Sequence, residues 1–413
     1  MLRYDPLDPG FLADPYPTYA MLRDHDPVHH HPGNDEVPAF WALSRFSDVW
    51  EAVRRPEDFS SAQGLTFYPD EIGRLGLPPN LVMLDPPRQT RLRSLIGRGF
   101  TPRHVTRLEQ AIRGFVRRRL DELARRAADG APVDIHRDFS STIPTYALTE
   151  LFGVAEADRA RFAPWVQAVT AIQNDGFRLG GLTGRDAVGE LLAYFSDEIA
   201  RRREHPTDDL IGALVAAEID GPDGPERLSD WDVLGFCFVV VAGGSDTTAS
   251  LVSHALCLLT DAPEQREMVL QDRSLIPGAL VEFLRLESSV QGLCRTTTRE
   301  LTMRGVTIPA GEKVLMLYGA ANRDPREFGE DADVLDVRRE IPRHLSFSSG
   351  PHFCIGNHLA RLMARVALEE LLAAHPRLEV DAEAGVRHRS AFVRGWVSLP
   401  AHGLRAPATS PSG

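Results

Sequence analysis

The sequence predicts a mainly helical protein carrying a few small β-sheets, an α+β arrangement in one domain. Three observations predict it. Long segments place apolar residues at helical spacing, strand signals are short and clustered, and no change of composition marks an interdomain linker. The 413 residues are 43% hydrophobic and 25% charged, a globular composition in a chain long enough for a large core. The domain is expected over 1–405, with a flexible tail over 406–413.

In chain order, Val28 to His31 and Phe40 to Ser44 read as strands around a Pro32-Gly33-Asn34 turn. The triplet His29-His30-His31 invites a metal reading, but neighbouring strand residues point to opposite faces and cannot converge on one ion. A solvated strand end is expected there. Between Arg103 and Arg126, Val105, Leu108, Ile112, Phe115, Leu120 and Leu123 fall near one face and arginines fill the rest, predicting a long amphipathic helix. Asp220 to Glu226, rich in Gly and Pro, predicts a loop or hairpin. Ser229 and Asp232 form a capping-box pattern, and the residues from there to Leu259 are apolar almost all round, so this helix is expected to be central and buried. Leu301 to Met303, Val306 to Ile308 and Val314 to Leu317 supply the remaining strand signals.

A net charge of -12 argues against generic binding to nucleic acid or to an anionic membrane. The start carries prolines and acids where a signal peptide needs a basic then an apolar run, and no run of 18 apolar residues follows, so a soluble cytoplasmic protein is expected. Cys237, Cys257, Cys294 and Cys354 form no CxxC pair, which points away from a disulfide framework or structural zinc. Any special cysteine acts alone.

Cys354 has the distinctive setting. Phe347-Ser-Ser-Gly-Pro-His-Phe-Cys-Ile-Gly356 precedes the helical Asn357-His-Leu-Ala-Arg-Leu, so the sulfur sits just before a helix, where free N–H groups and the helix dipole favour thiolate. A thiolate there can ligate iron. Gly350 permits a backbone bend, Gly356 allows close approach of a flat macrocycle, Phe347 shields the sulfur, and His352 reaches towards an anionic propionate. For the other three cysteines a buried structural role is expected.

Phe347-x-x-Gly350-x-His352-x-Cys354-x-Gly356 resembles the haem-binding signature of cytochromes P450 at every defined position. The resemblance extends from Asp14-Pro-Tyr-Pro to the region of Arg394-Gly-Trp396 and is strongest to soluble actinobacterial members. It implies a single P450 domain with haem b between an oxygen-binding helix and the cysteine loop, and Cys354 as the axial ligand.

Gly243-Gly-Ser-Asp-Thr-Thr248 lies inside the central helix, where two glycines cost about 2 kcal/mol of helix propensity. Either they permit close packing of a neighbouring helix or they open this helix. The segment is similar to the P450 oxygen-binding groove, which implies Gly244 beside haem, Gly243 at the substrate pocket, Thr247 hydrogen-bonding the activated oxygen and Asp246 bringing protons. Glu282-Phe-Leu-Arg285 is similar to the ExxR helix of the family and implies a structural ion pair. By the same resemblance Arg93 and Arg295 bind haem propionates. Gln89 stands where many relatives have His, changing one propionate contact to a neutral amide. Ser348-Ser349 replaces a Gly-containing pair.

The segments implied to line the substrate pocket are Thr66 to Pro79, Ala168 to Gly184, Val239 to Gly243, Val290 to Leu293 and Ala391 to Val393. Val239, Val240, Val290, Leu293, Phe392 and Val393 suggest a medium-sized hydrophobic substrate such as a steroid, terpenoid, lipid or polyketide, with Gln291 and Arg394 orienting a polar end. Electrons are expected from a ferredoxin and its NAD(P)H-dependent reductase, docked on Arg88, Arg91, Arg98, Arg103, Arg338 and Arg343. A monomer is expected. A monooxygenase, a P450 catalysing another oxidation such as aromatic coupling, and a haem protein that only binds a ligand remain the competing readings.

Overall fold

The computed structural model describes residues 4–68, 71, 80–100, 102–174, 182–221 and 224–404. Helices make up most of the body. The largest sheet has five strands in the order Val28–His31, Phe40–Leu43, Lys313–Leu317, Gly292–Thr297 and Phe59–Ser60. Only the pairing of Lys313–Leu317 with Phe40–Leu43 is parallel. Gly292–Thr297 thus sits one strand in from the edge. Leu293 and Arg295 share one of its faces and Cys294 the other, by the two-residue period of a strand.

The expected helix over 103–126 is two helices, Pro102–Arg107 and Glu109–Ala128, because Leu108 N–H bonds back to Val105 O in a tight turn. The longer helix buries Ile112, Val116, Leu120, Leu123 and Ala124. Its arginines meet acids of the helix Asn357–Ala374: Arg113 with Glu369 at 2.7 Å, Arg117 with Glu370 at 2.7 Å, and Arg365 back to Glu109 at 2.7 Å. The helix that follows Cys354 is therefore braced along its length.

Ser229 caps the central helix as expected: Asp232 N–H donates to Ser229 Oγ at 3.1 Å, and Ser229 N–H donates to Asp232 Oδ2 at 3.2 Å. The helix breaks at Ser245 into Asp230–Gly244 and Asp246–Asp261. By length and composition this pair is apolar enough to cross a membrane, but it is mostly buried within the protein and contributes Val233, Phe236, Val241, Leu251 and Leu256 to the largest core cluster. Glu218–Gly221 and Gly224–Arg227 form the hairpin expected near Asp220.

The histidine triplet corrects the expectation of a solvated strand end. His29 and His31 are buried and only His30 is exposed. His31 stacks on Phe40 with ring centroids 4.8 Å apart, and His29 Nδ1 lies 2.7 Å from Asp26 Oδ2. An imidazole can serve a strand's inner face when its polar edge finds a partner.

Candidate active site

The segment around Cys354 is held from both sides. Cys354 N–H donates to Phe347 O at 2.8 Å, closing the loop, and Asn357 Nδ2 donates to Cys354 O at 2.9 Å. Gly350 has φ +66, and a Cβ there would lie 3.0 Å from Val53 O and 3.1 Å from Arg54 Cα, so the bend needs glycine on two counts. Ser348 also occupies the left-handed region, at φ +58, so replacing glycine at this pair leaves a strained backbone.

Cys354 is the accessible member of the four cysteines, the others being buried. Burial raises the thiol pKa of Cys237, Cys257 and Cys294. Cys354 is raised too. Burial is the larger effect, while the N–H of Gly356, the guanidiniums of Arg93 and Arg361 and the N–H of Asn357 all pull downward. The expectation that the helix end lowers this pKa is right about the sign of each contact and wrong about the sum. Arg361, which the sequence reading missed, lies with its guanidinium 5.3 Å from the centre of the Phe347 ring.

The residues present fit a haem. Arg295 is buried, and burial lowers the Arg93 pKa. Among the described residues Arg295 reaches its neighbour's carbonyl, Cys294 O, at 2.8 Å, and the charged group beside Arg93 is Cys354 and no carboxylate. His352 stands beside both. Its pKa is lowered to about 3 by burial and by Arg295 and Arg93, and its Nε2 lies 3.1 Å from Ser61 Oγ. One buried and one half-buried guanidinium, with an imidazole beside them, suit a pair of propionates. Gln89 is placed differently from the expectation: its side chain is fully buried and donates from Nε2 to Pro351 O at 2.6 Å, tying its helix to the cysteine loop.

The break in the central helix decides between the two readings of its glycines. A Cβ on Gly243 would meet no atom within 4 Å, and one on Gly244 only Leu148 Cδ2 at 3.9 Å, so helix packing requires neither glycine. Ser245 Oγ donates to Val241 O at 2.8 Å and Thr247 Oγ1 to Gly243 O at 2.7 Å, so side chains take over carbonyls where the helix is interrupted. With its proton so used, Thr247 Oγ1 keeps its lone pairs for a donor. A Cβ on Gly356 would likewise meet nothing within 4 Å, leaving room on the cysteine side.

Asp246 is buried with Oδ2 unpartnered, and its Oδ1 lies 3.3 Å from His388 Nε2. It stands with His136, His388, Ser245 and Ala249 in the wall of a cleft of about 830 Å³ that also runs along Thr142, Tyr146 and Arg159. The burial of His136 lowers its pKa to about 4. Neither histidine carries a local sequence signal, since they meet only through the fold, from the short π-helix His136–Ser140 and from a segment 252 positions further on.

Glu282 and Arg285 are both fully buried. Arg285 donates from Nε to Glu282 Oε2 at 2.7 Å and from Nη2 to Oε1 at 2.8 Å, then from Nη1 to Asn322 O at 2.9 Å and Ala332 O at 2.6 Å. Asn322 in turn accepts Leu345 N–H at 2.7 Å, two residues before Phe347. The ion pair thereby reaches the cysteine loop.

The residues expected to line a substrate pocket divide. Val239, Gly243, Val290, Leu293 and Val393 keep some exposure, and Val290 bridges Val393 across two segments. Val240 and Phe392 are buried, Phe392 against Phe67 at 4.6 Å between centroids. Gln291 is engaged internally: Tyr19 Oη donates to its Oε1 at 3.0 Å and its Nε2 donates to Ser288 O. Gln291 and Val393 border a cavity of only about 20 Å³, room for one water. Arg394 is locked on Glu287 at 3.1 Å and cannot orient a ligand. Positions 69–70, 72–79 and 175–181 of the expected lining, and the tail 406–413, lie outside the described residues.

On the expected docking face Arg88 pairs with Asp232 at 3.1 Å and Arg343 with Glu327 at 2.6 Å, while Arg91 and Arg338 are exposed. The side chains at 98 and 103 lie outside the described residues.

A partly accessible cysteine ahead of a helix, one buried and one half-buried cation and an opened helix fit the class of oxidoreductases built on a cysteine-ligated group with anionic arms. A family model for Cytochrome P450 matches residues 186–387. Cytochrome P450 130 of Mycobacterium tuberculosis is 46% identical over 393 residues, covering 94% of this chain and 94% of that protein. Vitamin D(3) 25-hydroxylase of Pseudonocardia autotrophica is 35% identical over 405 residues, with 96% of each chain covered. The solved structure of cytochrome P450 CYP109Q5 from Chondromyces apiculatus superposes with a TM-score of 0.86 at 33% identity, covering 98% of this chain and 99% of that one. The chain belongs to the cytochrome P450 family: it is a monooxygenase that binds haem b through a cysteine thiolate.

Proposed function

We propose that this P450 hydroxylates a medium-sized hydrophobic molecule, with Cys354 as the iron ligand and Asp246 and Thr247 supplying protons. The observation that carries the reading is the opened helix, where a buried acid precedes a hydroxyl whose own proton is held by Gly243 O. When bound, the haem supplies reductive cleavage of dioxygen, one atom entering the substrate and the other leaving as water with two electrons and two protons. Arg93, Arg295 and His352 would hold the propionates, and Glu282 and Arg285 keep the loop in register with them.

Asp246 faces the cleft and Thr247 lies about 100° further round the helix. Water in the cleft can give a proton to Asp246, and Thr247 Oγ1 can accept one and pass on its own. Val239, Val290, Leu293 and Val393 offer apolar surface, which fits a terpenoid, steroid, lipid or polyketide better than a charged metabolite. The relative named as a vitamin D(3) 25-hydroxylase supports an apolar substrate of this kind.

Electrons come in this reading from a ferredoxin in the cytoplasm, docked near Arg88, Arg91 and Arg338 on a monomer. A reduction rate indifferent to ionic strength refutes that docking. For the chemistry, Thr247→Ala is expected to keep its haem and the red-shifted band of the reduced CO complex, while product per NAD(P)H falls severalfold in favour of peroxide and water. Unchanged coupling refutes the role of Thr247. A spectral-shift screen of hydrophobic ligands identifies the substrate class.

A further inference from the structure

The cleft behind the opened helix gathers more ligating chemistry than proton delivery needs. His136, Asp246 and His388 each direct one nitrogen or oxygen into a cluster whose donor atoms all lie within 4.8 Å of one another. We propose that these three side chains form a binding site for a divalent transition-metal ion of the zinc class, and that an ion bound there withholds Asp246 from the reaction. The second half rests on the proton-delivery role proposed above for Asp246.

The donor set is two imidazoles and a carboxylate, which suits zinc, nickel or cobalt and not magnesium or calcium, whose ligands are oxygens. Bonds of about 2.0–2.2 Å in a tetrahedron place neighbouring ligand atoms roughly 3.4 Å apart. Asp246 Oδ1 and His388 Nε2 already stand 3.3 Å apart. The His136 nitrogen lies within 4.8 Å of both.

Two further observations point to a ligand. Asp246 Oδ2 is buried without a hydrogen-bond partner, so the carboxylate retains an oxygen for an ion. His136 Nδ1 lies 3.0 Å from the buried Ser253 Oγ, which orients the ring and leaves Nε2 as the outward nitrogen. A second partner on the far nitrogen is the usual support of a metal-binding imidazole. On the other side the His388 ring is backed by Gly395, where an added Cβ would lie 3.1 Å from His388 Cδ2.

The surrounding charges leave the site open to a cation. Arg137 and Arg159, which also border the cleft, are paired with Asp134 at 2.7 Å and Glu150 at 2.7 Å, and Arg389 is paired with Glu36 at 2.9 Å. The cleft itself, about 830 Å³, admits the water that completes the coordination of an ion with three protein ligands.

The test is calorimetric titration of the ferric holoenzyme with Zn²⁺ in chelator-free buffer, which needs no turnover and so stands apart from the monooxygenase reading. One equivalent is expected to bind with micromolar affinity and Mg²⁺ not at all. Affinity should fall at least tenfold in His136→Ala and in His388→Gln, each first shown to retain haem, and should be unchanged in the exposed control His205→Ala. The same Zn²⁺ concentration should lower product per NAD(P)H in the wild type. Equal affinity in all variants means surface binding or a plain His388–Asp246 ion pair and overturns the site. Specific binding with unaltered coupling overturns the link to Asp246.

Discussion

Replacing Glu287 by Gln tests the network that anchors the N-terminal segment. The Glu287 carboxylate lies between Arg323 Nη2 at 3.4 Å and Arg394 Nε at 3.1 Å, and none of the three side chains is more than 12% exposed. Burial raises the Glu287 pKa, but Arg394, His254, Arg323 and Arg387 outweigh it and hold the group down at about 2. Gln keeps the shape and removes the charge, leaving two guanidiniums buried against Tyr16 with Asp333 as the remaining acid, 3.1 Å from Arg323. Breaking a buried pair in this way costs about 3–5 kcal/mol. The upper end is expected because Arg394 also binds Leu12 O and Ala13 O at 2.9 and 3.1 Å, so its displacement frees the N-terminal segment. The assay is equilibrium denaturation of Glu287→Gln against wild type, both as holoenzyme, with the double variant Glu287→Gln/Arg394→Gln. The double variant should recover part of the loss. A single-variant loss below about 1 kcal/mol, the size of an exposed pair, refutes the argument.

Three further outcomes are expected. Gly350→Ala meets both the positive φ and the Val53 carbonyl and should lose haem, whereas Ser348→Gly relieves a left-handed serine and should gain about 1 kcal/mol of stability, both read by thermal release of haem. Arg295→Ala removes a charge-assisted contact of about 1.5–3 kcal/mol, so haem transfer to apomyoglobin should quicken by roughly ten- to a hundredfold. His254 is buried with Nε2 unpartnered, and burial lowers its pKa to about 3. The unfolded state then takes up the extra proton as pH falls below about 6.5, so this residue removes about 1.4 kcal/mol of stability per pH unit from there down to its folded pKa. His254→Gln should flatten the dependence between pH 6.5 and 5 by about 2 kcal/mol, and an unchanged slope counts against a neutral buried imidazole.

The parts of the site legible in the sequence are those fixed by short-range necessity. Gly350, Cys354 and Gly356 lie in one short loop before one helix, so local sequence carries them, whereas Glu282 and Arg285 share their spacing with Glu122 and Arg125 and are picked out by the resemblance to the ExxR helix. Asp246 and Thr247 were assigned by the similarity of their segment to the oxygen-binding groove, the segment alone leaving two readings open. His136, His388 and Arg361 were not, because their meaning lies in what the fold brings to them from distant segments. Gln291 and Arg394 were misread for a related reason: a polar residue in an apolar lining looks like a ligand contact until its partners, Tyr19 and Glu287, are known. The helix break at Ser245 was foreshadowed by two glycines, but only the empty space around Gly243 separates an opening from a packing seam.

The balance at Cys354 shows how the work is divided between protein and cofactor. Two backbone N–H groups and two guanidiniums pull the thiol towards ionisation, and burial still outweighs them. Had the loop alone been tuned to hold a thiolate, the bare site would carry a reactive nucleophile facing Arg93. In the proposed reading Cys354 would gain the missing stabilisation from the iron of a bound haem, since a coordinated thiol is deprotonated outright. With Cys354 as the iron ligand proposed above, haem binding would release a proton at this sulfur, and the N–H groups of Gly356 and Asn357 would then act on the ligand. Those N–H groups would temper how strongly such a ligand pushes on iron, and Gly356, where an added Cβ would meet no atom within 4 Å, would leave room for the macrocycle beside the sulfur.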